Sequence, residues 1–214
     1  MPRSAFIALD GLDGTGKSTQ CGKLLEWLAE QNVPAIGCTD PGGTPLGQEL
    51  RKILLFGREH SLATAAEAFL FMASRAQLVA EVIRPALEGG HSVVSDRFTL
   101  ANVVYQGHAG GLDPEELWEV GAVAASGIEP DLTLVLDLPL DEAMARRNRA
   151  ADRMEARDRE YHEAVKRGFL FEAGRRPDKH RIIDATPSVE TVQSAIRREV
   201  SRLLLDRGWP LHNN

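Results

Sequence analysis

Apolar and polar positions alternate along the chain in blocks that read as strand, helix, strand. Ala5-Phe6-Ile7-Ala8-Leu9 is a short apolar run of the kind a buried parallel strand shows. Residues 20–31 follow with Leu24, Leu25 and Leu28 on one face, which predicts an amphipathic helix. A second strand is expected over 33–38, then a turn at Asp40-Pro41-Gly42-Gly43-Thr44, then a helix carrying Leu46, Leu50, Ile53 and Leu54. Residues 61–87 form a long helical stretch, with Ser61 as its N-cap and Gly89-Gly90 closing it. Its apolar set includes Leu62, Ala66, Phe69, Leu70, Met72 and Leu78. Further strands are predicted at 92–97, 131–138 and 180–184. Helices are predicted up to Gly107, across 113–125 with Pro114 in its first turn, and at 160–173 and 189–205. This alternation predicts an α/β fold with a parallel sheet covered by helices on both faces, in one domain spanning 1–214.

Composition changes that picture little. At 43% hydrophobic and 26% charged residues, the 214-residue chain has the makeup of a soluble globular protein and the length to bury one core. Its net charge of -6 argues against nucleic acid held by non-specific phosphate contacts, yet leaves room for a local basic pocket around one small anion. Cys21 and Cys38 sit in no metal-ligand spacing and read as two reduced thiols. No run approaches the roughly 18 apolar residues of a membrane span. Met1-Pro2-Arg3-Ser4 leads straight into the first strand, so no signal peptide is expected. The expected setting is the cytoplasm, with neither a nucleic-acid nor a membrane partner.

The first strand and helix bracket Gly11-Leu12-Asp13-Gly14-Thr15-Gly16-Lys17-Ser18, which fits the G-x-x-x-x-G-K-[ST] pattern in the context that pattern needs. Glycines let the backbone curl so that successive N–H groups face an anion, and the helix N-terminus adds its dipole. Lys17 then reaches the outer phosphates of a nucleoside triphosphate, and the Ser18 hydroxyl suits magnesium. Asp96-Arg97 ends a later strand, where open α/β sheets bind ligands; the acid suits a water-held magnesium and the base a phosphate. Phe71 and Arg75 share a helix face, although spacing alone reads them as core and surface ion pair, and Arg51 as a solvated arginine. Residues 141–159 carry Arg146, Arg147, Arg149, Arg153, Arg157 and Arg159. Such a run is usually a solvated face, but in a phosphoryl-transfer enzyme it suits a flap over the moving phosphoryl group. Lacking an Asn-Lys-x-Asp guanine-reading motif and a second domain, the chain reads as a small-molecule kinase before a GTPase or a motor.

Seven blocks together carry a resemblance: the phosphate loop through Thr19, Asp40-Pro41-Gly42-Gly43-Thr44, Phe71-Met72-Ala73-Ser74-Arg75, Asp96-Arg97-Phe98, Tyr105-Gln106-Gly107, Asp152-Arg153-Met154-Glu155 and Ile183-Asp184-Ala185-Thr186. In order and spacing they resemble the bacterial thymidylate kinases over essentially the whole chain. The resemblance implies a nucleoside-monophosphate-kinase fold with a five-stranded parallel sheet and an arginine-rich lid at about 146–159. It implies transfer of the ATP γ-phosphate to dTMP with Mg2+, and a homodimer. Gly11, Asp13, Gly14, Thr15, Gly16, Lys17, Ser18 and Thr19 would hold ATP. On the acceptor side Asp13 would bind the sugar 3′-hydroxyl, Phe71 would stack on thymine, and Arg75 would hydrogen-bond a base carbonyl. Arg51 and Arg97 would hold the acceptor phosphate, Tyr105 would pack on the deoxyribose, and Asp40, Asn102 and Gln106 would lie near the base. Ser18 and Asp96 would serve the metal.

The family has two kinds, with a catalytic arginine in the phosphate loop or in the lid. Gly14 occupies the loop position, so the lid would supply it, with Arg153 the better match and Arg149 the next. Two departures stand out: Thr39-Asp40 where the family usually has Arg-Glu, and Ala101 where it often has Ser. They leave room for dUMP or another pyrimidine monophosphate as a side substrate. A kinase for a different monophosphate and a nucleotide-dependent switch are the rival readings; the switch would expect a broken Lys17, Ser18 or Asp96, and all three are present.

Overall fold

The computed structural model describes residues 3–57, 61–146 and 152–211. Five parallel strands form one sheet in the order β2-β3-β1-β4-β5: β1 (Phe6–Gly11), β2 (Ala35–Thr39), β3 (Ser92–Asp96), β4 (Leu132–Asp137) and β5 (His180–Asp184). Every residue of β1 is buried, as expected of a central strand covered on both faces. Its side chains alternate. Phe6 and Ala8 join Leu78, Ile83 and Phe98, while Ile7 and Leu9 join Leu24, Leu28 and Ile196. Asp131 fastens the start of this strand by accepting from the Phe6 amide at 2.7 Å.

The connecting helices are α1 (Lys17–Glu30), α2 (Pro45–Arg51), α3 (Thr64–Leu78), α4 (Arg84–Glu88), α5 (Thr99–Asn102), α6 (Pro114–Ala124), α7 (Leu140–Ala145), α8 (Arg159–Arg175) and α9 (Val189–Asp206). Wide turns continue α2 over Lys52–Phe56, α3 over Val79–Ile83 and α5 over Val103–His108. Helix α1 begins three residues before the expected start, directly out of the glycine loop. Helix α3 starts at Thr64 after an extended Ala63 that offers no side-chain cap, so Ser61 is not the N-cap. Leu62 instead packs on the core from the segment ahead of the helix. Leu46 and Ile53 are half exposed and Phe69 is largely exposed, so the apolar stripes of α2 and α3 are not wholly core.

Strand register does the positioning. Leu9 and Thr39 both pair with Asp96, and the Asp40 amide extends the β2–β3 ladder by donating to the Asp96 carbonyl at 3.1 Å. The carboxyl ends of β1, β2 and β3 therefore deliver the glycine loop, Asp40 and Asp96-Arg97 to one edge of the sheet.

Candidate active site

A cleft of about 420 Å³ opens at that edge. One end is the glycine loop. Gly14 has a φ of +92°, and a Cβ there would meet the Ala143 carbonyl oxygen of α7 at 2.1 Å. A side chain there, arginine included, would require the loop or α7 to shift. Gly16, also left-handed at +92°, precedes α1 with no side-chain cap, so the first amides of this 14-residue helix are open to an anion. The Lys17 ammonium folds back on the loop, donating to the carbonyls of Gly11 at 3.2 Å and Leu12 at 2.8 Å. Burial, reinforced by the nearby Arg97, lowers its pKa. Ser18 donates to Asp96 Oδ2 at 2.5 Å, joining a hydroxyl and a carboxylate at the helix N-terminus. Hard oxygen donors of this kind fit magnesium, which takes few protein ligands and keeps water and phosphate oxygens for the rest.

Arg97 stands between this end and the other. Its φ of +73° is a conformation a branched or bulky residue adopts only when surroundings enforce it. Here its amide donates to the Leu9 carbonyl at 2.9 Å, and its carbonyl accepts from the Ser95 hydroxyl at 2.6 Å. Its guanidinium meets Asp13 Oδ1 at 2.7 Å, the Gly11 carbonyl at 3.1 Å and the Tyr105 hydroxyl at 3.2 Å, and lies over the Tyr105 ring. Burial works against its charge, but Tyr105, Asp13, Asp10 and Asp96 more than offset that and raise its pKa. Beneath it, Asp10 is wholly buried 3.8 Å from the guanidinium, with neither carboxylate oxygen hydrogen-bonded among the described residues. Burial pushes that carboxyl up to about 7, against the opposing pull of Arg97 and Lys17.

The far end is a small pocket with one aromatic wall, Phe71, and a polar back. Arg75 donates from Nε to Asp40 Oδ2 at 2.6 Å and from Nη2 to Asn102 Oδ1 at 2.5 Å. Asn102 donates to Gln106 Oε1 at 2.7 Å, and Gln106 donates to Glu67 Oε1 at 2.9 Å. All five are buried. Burial raises the Asp40 carboxyl and Arg75 opposes the shift. At the rim, Arg51 donates to the Pro41 carbonyl at 2.7 Å, its helix capped by Thr44, which accepts from the Gly47 amide at 2.9 Å.

Most of the sequence-nominated residues thus line one cleft: Asp13, Gly14, Gly16, Lys17, Ser18, Thr19, Asp40, Arg51, Phe71, Arg75, Asp96, Arg97, Asn102, Tyr105 and Gln106. Gly11 and Thr15 shape the loop from beneath, Thr15 bonding the Leu12 carbonyl at 2.9 Å. Arg153 does not line the cleft. Asp152 Oδ1 accepts from the Met154 and Glu155 amides at 2.9 Å and 3.0 Å, and Glu155 accepts from the Asp152 amide at 3.1 Å. This reciprocal turn, like a capping box, aims Arg153 at the Gly57 carbonyl, to which it donates. Arg146 is the arginine of the stretch that borders the cleft among the described residues; Arg149 lies outside them. Sequence reasoning passed over Glu67, whose signal was its place four residues before Phe71 and eight before Arg75 on one helix face.

Residues 9–196 match the family model for thymidylate kinase. The chain is 45% identical over 202 residues to a thymidylate kinase of Symbiobacterium thermophilum, covering 94% of each chain. To one of Desulfovibrio desulfuricans it is 42% identical over 212 residues, covering 95% of this chain and 98% of the other. Among solved structures it resembles a thymidylate kinase from Ehrlichia chaffeensis with a TM-score of 0.75 at 26% identity, covering 93% and 99% of the two chains.

Proposed function

The chain belongs to the thymidylate kinase family, which phosphorylates dTMP to dTDP with ATP, and we propose that its cleft divides that work between the two ends described above. ATP would lie on the glycine loop, its phosphates against the open amides of α1 and Lys17, which would leave the Gly11 and Leu12 carbonyls for the outer phosphates. The deoxynucleotide would enter the other end, thymine on Phe71 and against Arg75, Asn102 and Gln106, sugar on Tyr105 and Asp13, phosphate toward Arg51 and Arg97. A phosphate oxygen of dTMP would then attack the γ-phosphorus of ATP as the bond to the ADP oxygen breaks.

Two anions must meet for this, so the arrangement of cations carries the chemistry. Lys17 and Arg97 would offset the repulsion from opposite sides while holding the reactants in line. Magnesium would be held by Ser18 and Asp96, where it would supply positive charge against the triphosphate. The lid, about 146–159, would close over the transferred group and exclude water. Arg153 would have to leave Gly57 to take part, whereas Arg146 already borders the cleft; Arg149 would act from the same lid. We also assign to this chain a cytoplasmic location, one domain over its length, and a homodimer. The dimer is supported by the apolar groove between α3 and α6, where the exposed Phe69 sits beside Ala65, Met72 and Val120.

The observation that carries this reading is that an uncapped helix N-terminus and a buried, donor-rich base pocket open into one cleft on either side of Arg97. The test is ADP production from Mg-ATP with dTMP, dUMP, UMP, dCMP, dGMP and AMP. Clear preference for dTMP is expected. Equal rates across pyrimidines and purines would remove the base-pocket assignment.

A further inference from the structure

A second cavity, of about 320 Å³, lies beside α6 and, among the described residues, shares none of its lining with the substrate cleft. Its floor holds an acid. Asp10 follows Phe6 and Ala8 on one face of β1, the face packed against Phe98 and Ala125, and Asp10, Phe98 and Ala125 all line the cavity. Asp10 is wholly buried, and neither of its carboxylate oxygens has a hydrogen-bond partner among the described residues. That is a cost which a donor placed in the cavity would relieve. The walls are apolar, with Ile128 and the Trp118 ring beside Phe98 and Ala125. The rim is basic. Lys179 there pairs with Glu129, whereas Arg176 lies 4.0 Å over the Trp118 ring and forms no ion pair among the described residues.

We propose that this cavity is a second small-molecule site, for a compound with a neutral hydrogen-bond donor at one end, an apolar middle and an anionic group at the other. Each end is set by a side chain. The inner group must donate, because a carboxylate only accepts. It must also be uncharged: Asp10 stands 3.8 Å from the Arg97 guanidinium, and an ammonium brought to its oxygens would meet that cation. The outer group meets Arg176, whose planar fork suits a carboxylate or a phosphate. The volume is that of a small-ligand pocket. Asp10 joins this site to the cleft, because it lines the cavity and faces Arg97, which lines the cleft. The proposal goes beyond phosphoryl transfer and does not depend on which nucleotide the cleft accepts.

The probes are para-hydroxybenzoate, para-hydroxyphenylacetate and para-hydroxyphenylpropionate, which set a phenol and a carboxylate at three separations. Each is compared with its analogue lacking the hydroxyl. Ligand-observed NMR titrations at pH 8 give Kd; that pH lies above the value of about 7 to which burial pushes the Asp10 carboxyl, so the group is an acceptor. Saturating ADP and dTMP are present throughout, which closes the cleft to the probe. At least one probe should bind, about fivefold to tenfold more tightly than its analogue, as one hydrogen bond to a charged group provides. Arg176→Ala should raise that Kd about tenfold and Arg176→Lys should restore most of the loss, with Tm as the control for folding. No binding by any of the three, or binding that disappears when ADP and dTMP are added, overturns the proposal. A Kd indifferent to the hydroxyl overturns it too, as does one indifferent to Arg176→Ala. ADP production with dTMP is measured separately, so failure of this site leaves the kinase reading standing, and the reverse.

Discussion

Replacing Phe71 by leucine separates its two roles. The ring is 9% exposed in the free protein and belongs to the main core cluster, so an alanine there would open a cavity and confuse stability with binding. Leucine keeps most of the volume and should cost less than about 1.5 kcal/mol of stability. What it removes is the aromatic face turned to the cleft. A base laid on that face would cover about 20 Å² of a side chain of roughly 200 Å², contributing only about 0.5 kcal/mol by burial. The aromatic contact itself adds about 0.5–1.5 kcal/mol. The sum, about 1–2 kcal/mol, corresponds to roughly 5- to 30-fold weaker dTMP binding. The ring stays beside the base through the reaction, so the loss should fall on KM for dTMP, with kcat nearly constant and KM for ATP unchanged. A coupled ADP assay at saturating ATP and a dTMP titration measures it directly. An unchanged KM for dTMP with a lowered Tm would return Phe71 to the core and refute the stacking argument.

Three further outcomes test other parts of the site. Arg153→Ala should lower kcat by orders of magnitude with little change in dTMP binding if the lid carries that arginine from Gly57 to the phosphoryl group; near-normal turnover there, with a loss in Arg146→Ala, would transfer the role to Arg146. Gly14→Ala should lose about 2 kcal/mol or more, since its Cβ meets backbone at 2.1 Å and its φ is left-handed, and a normal Tm with normal ATP affinity would refute that packing. Asp10 titrates near 4 unfolded but at about 7 folded, because burial favours its neutral form. Its contribution to stability is present below pH 4 and lost as the pH rises through 7, so the Tm of Asp10→Asn should gain on the wild type between pH 5 and pH 8. A gap that stays constant or narrows over that range would show that Asp10 keeps its proton in neither state.

What could be read from the sequence was what neighbouring residues encode. The phosphate loop, its strand and its helix are contiguous, and its glycines serve local backbone needs, so the loop and its flanks were legible although the helix start was placed three residues late. The strand order was not, yet the alternation of elements was enough for a parallel sheet. Harder were features set by distant partners. Arg153 points at Gly57, 96 residues away in the chain, because a turn closed by Asp152 and Glu155 aims it there, and no motif states that. Glu67 reads as one more helix acid until Gln106 is folded against it. The start of α3 was misplaced because the apolar pattern runs back through Leu62, which packs on the core without being helical.

The Thr39-Asp40 departure shows how backbone and side chain trade reach. An aspartate is one methylene shorter than the glutamate usual in the family, and that shortening alone would leave Arg75 without its partner. Yet Asp40 Oδ2 lies 2.6 Å from Arg75 Nε. The backbone at Asp40 is held to the Asp96 carbonyl at 3.1 Å as an added rung beyond β2, and next to it the Gly42 amide donates to Ser74 Oγ at 3.2 Å, one residue before Arg75. The turn is thereby pinned to both the sheet and α3, and the shorter acid starts from a fixed place beside the guanidinium. A buried pair of this kind adds little net stability, but an Arg75 left without Asp40 would be a buried unpaired cation, a cost of about 3–5 kcal/mol. The pair therefore holds Arg75 in its direction before any ligand arrives, which lowers the ordering cost of binding. A ligand entering this end of the cleft would thus meet an Arg75 already held in place by Asp40, the turn and the sheet.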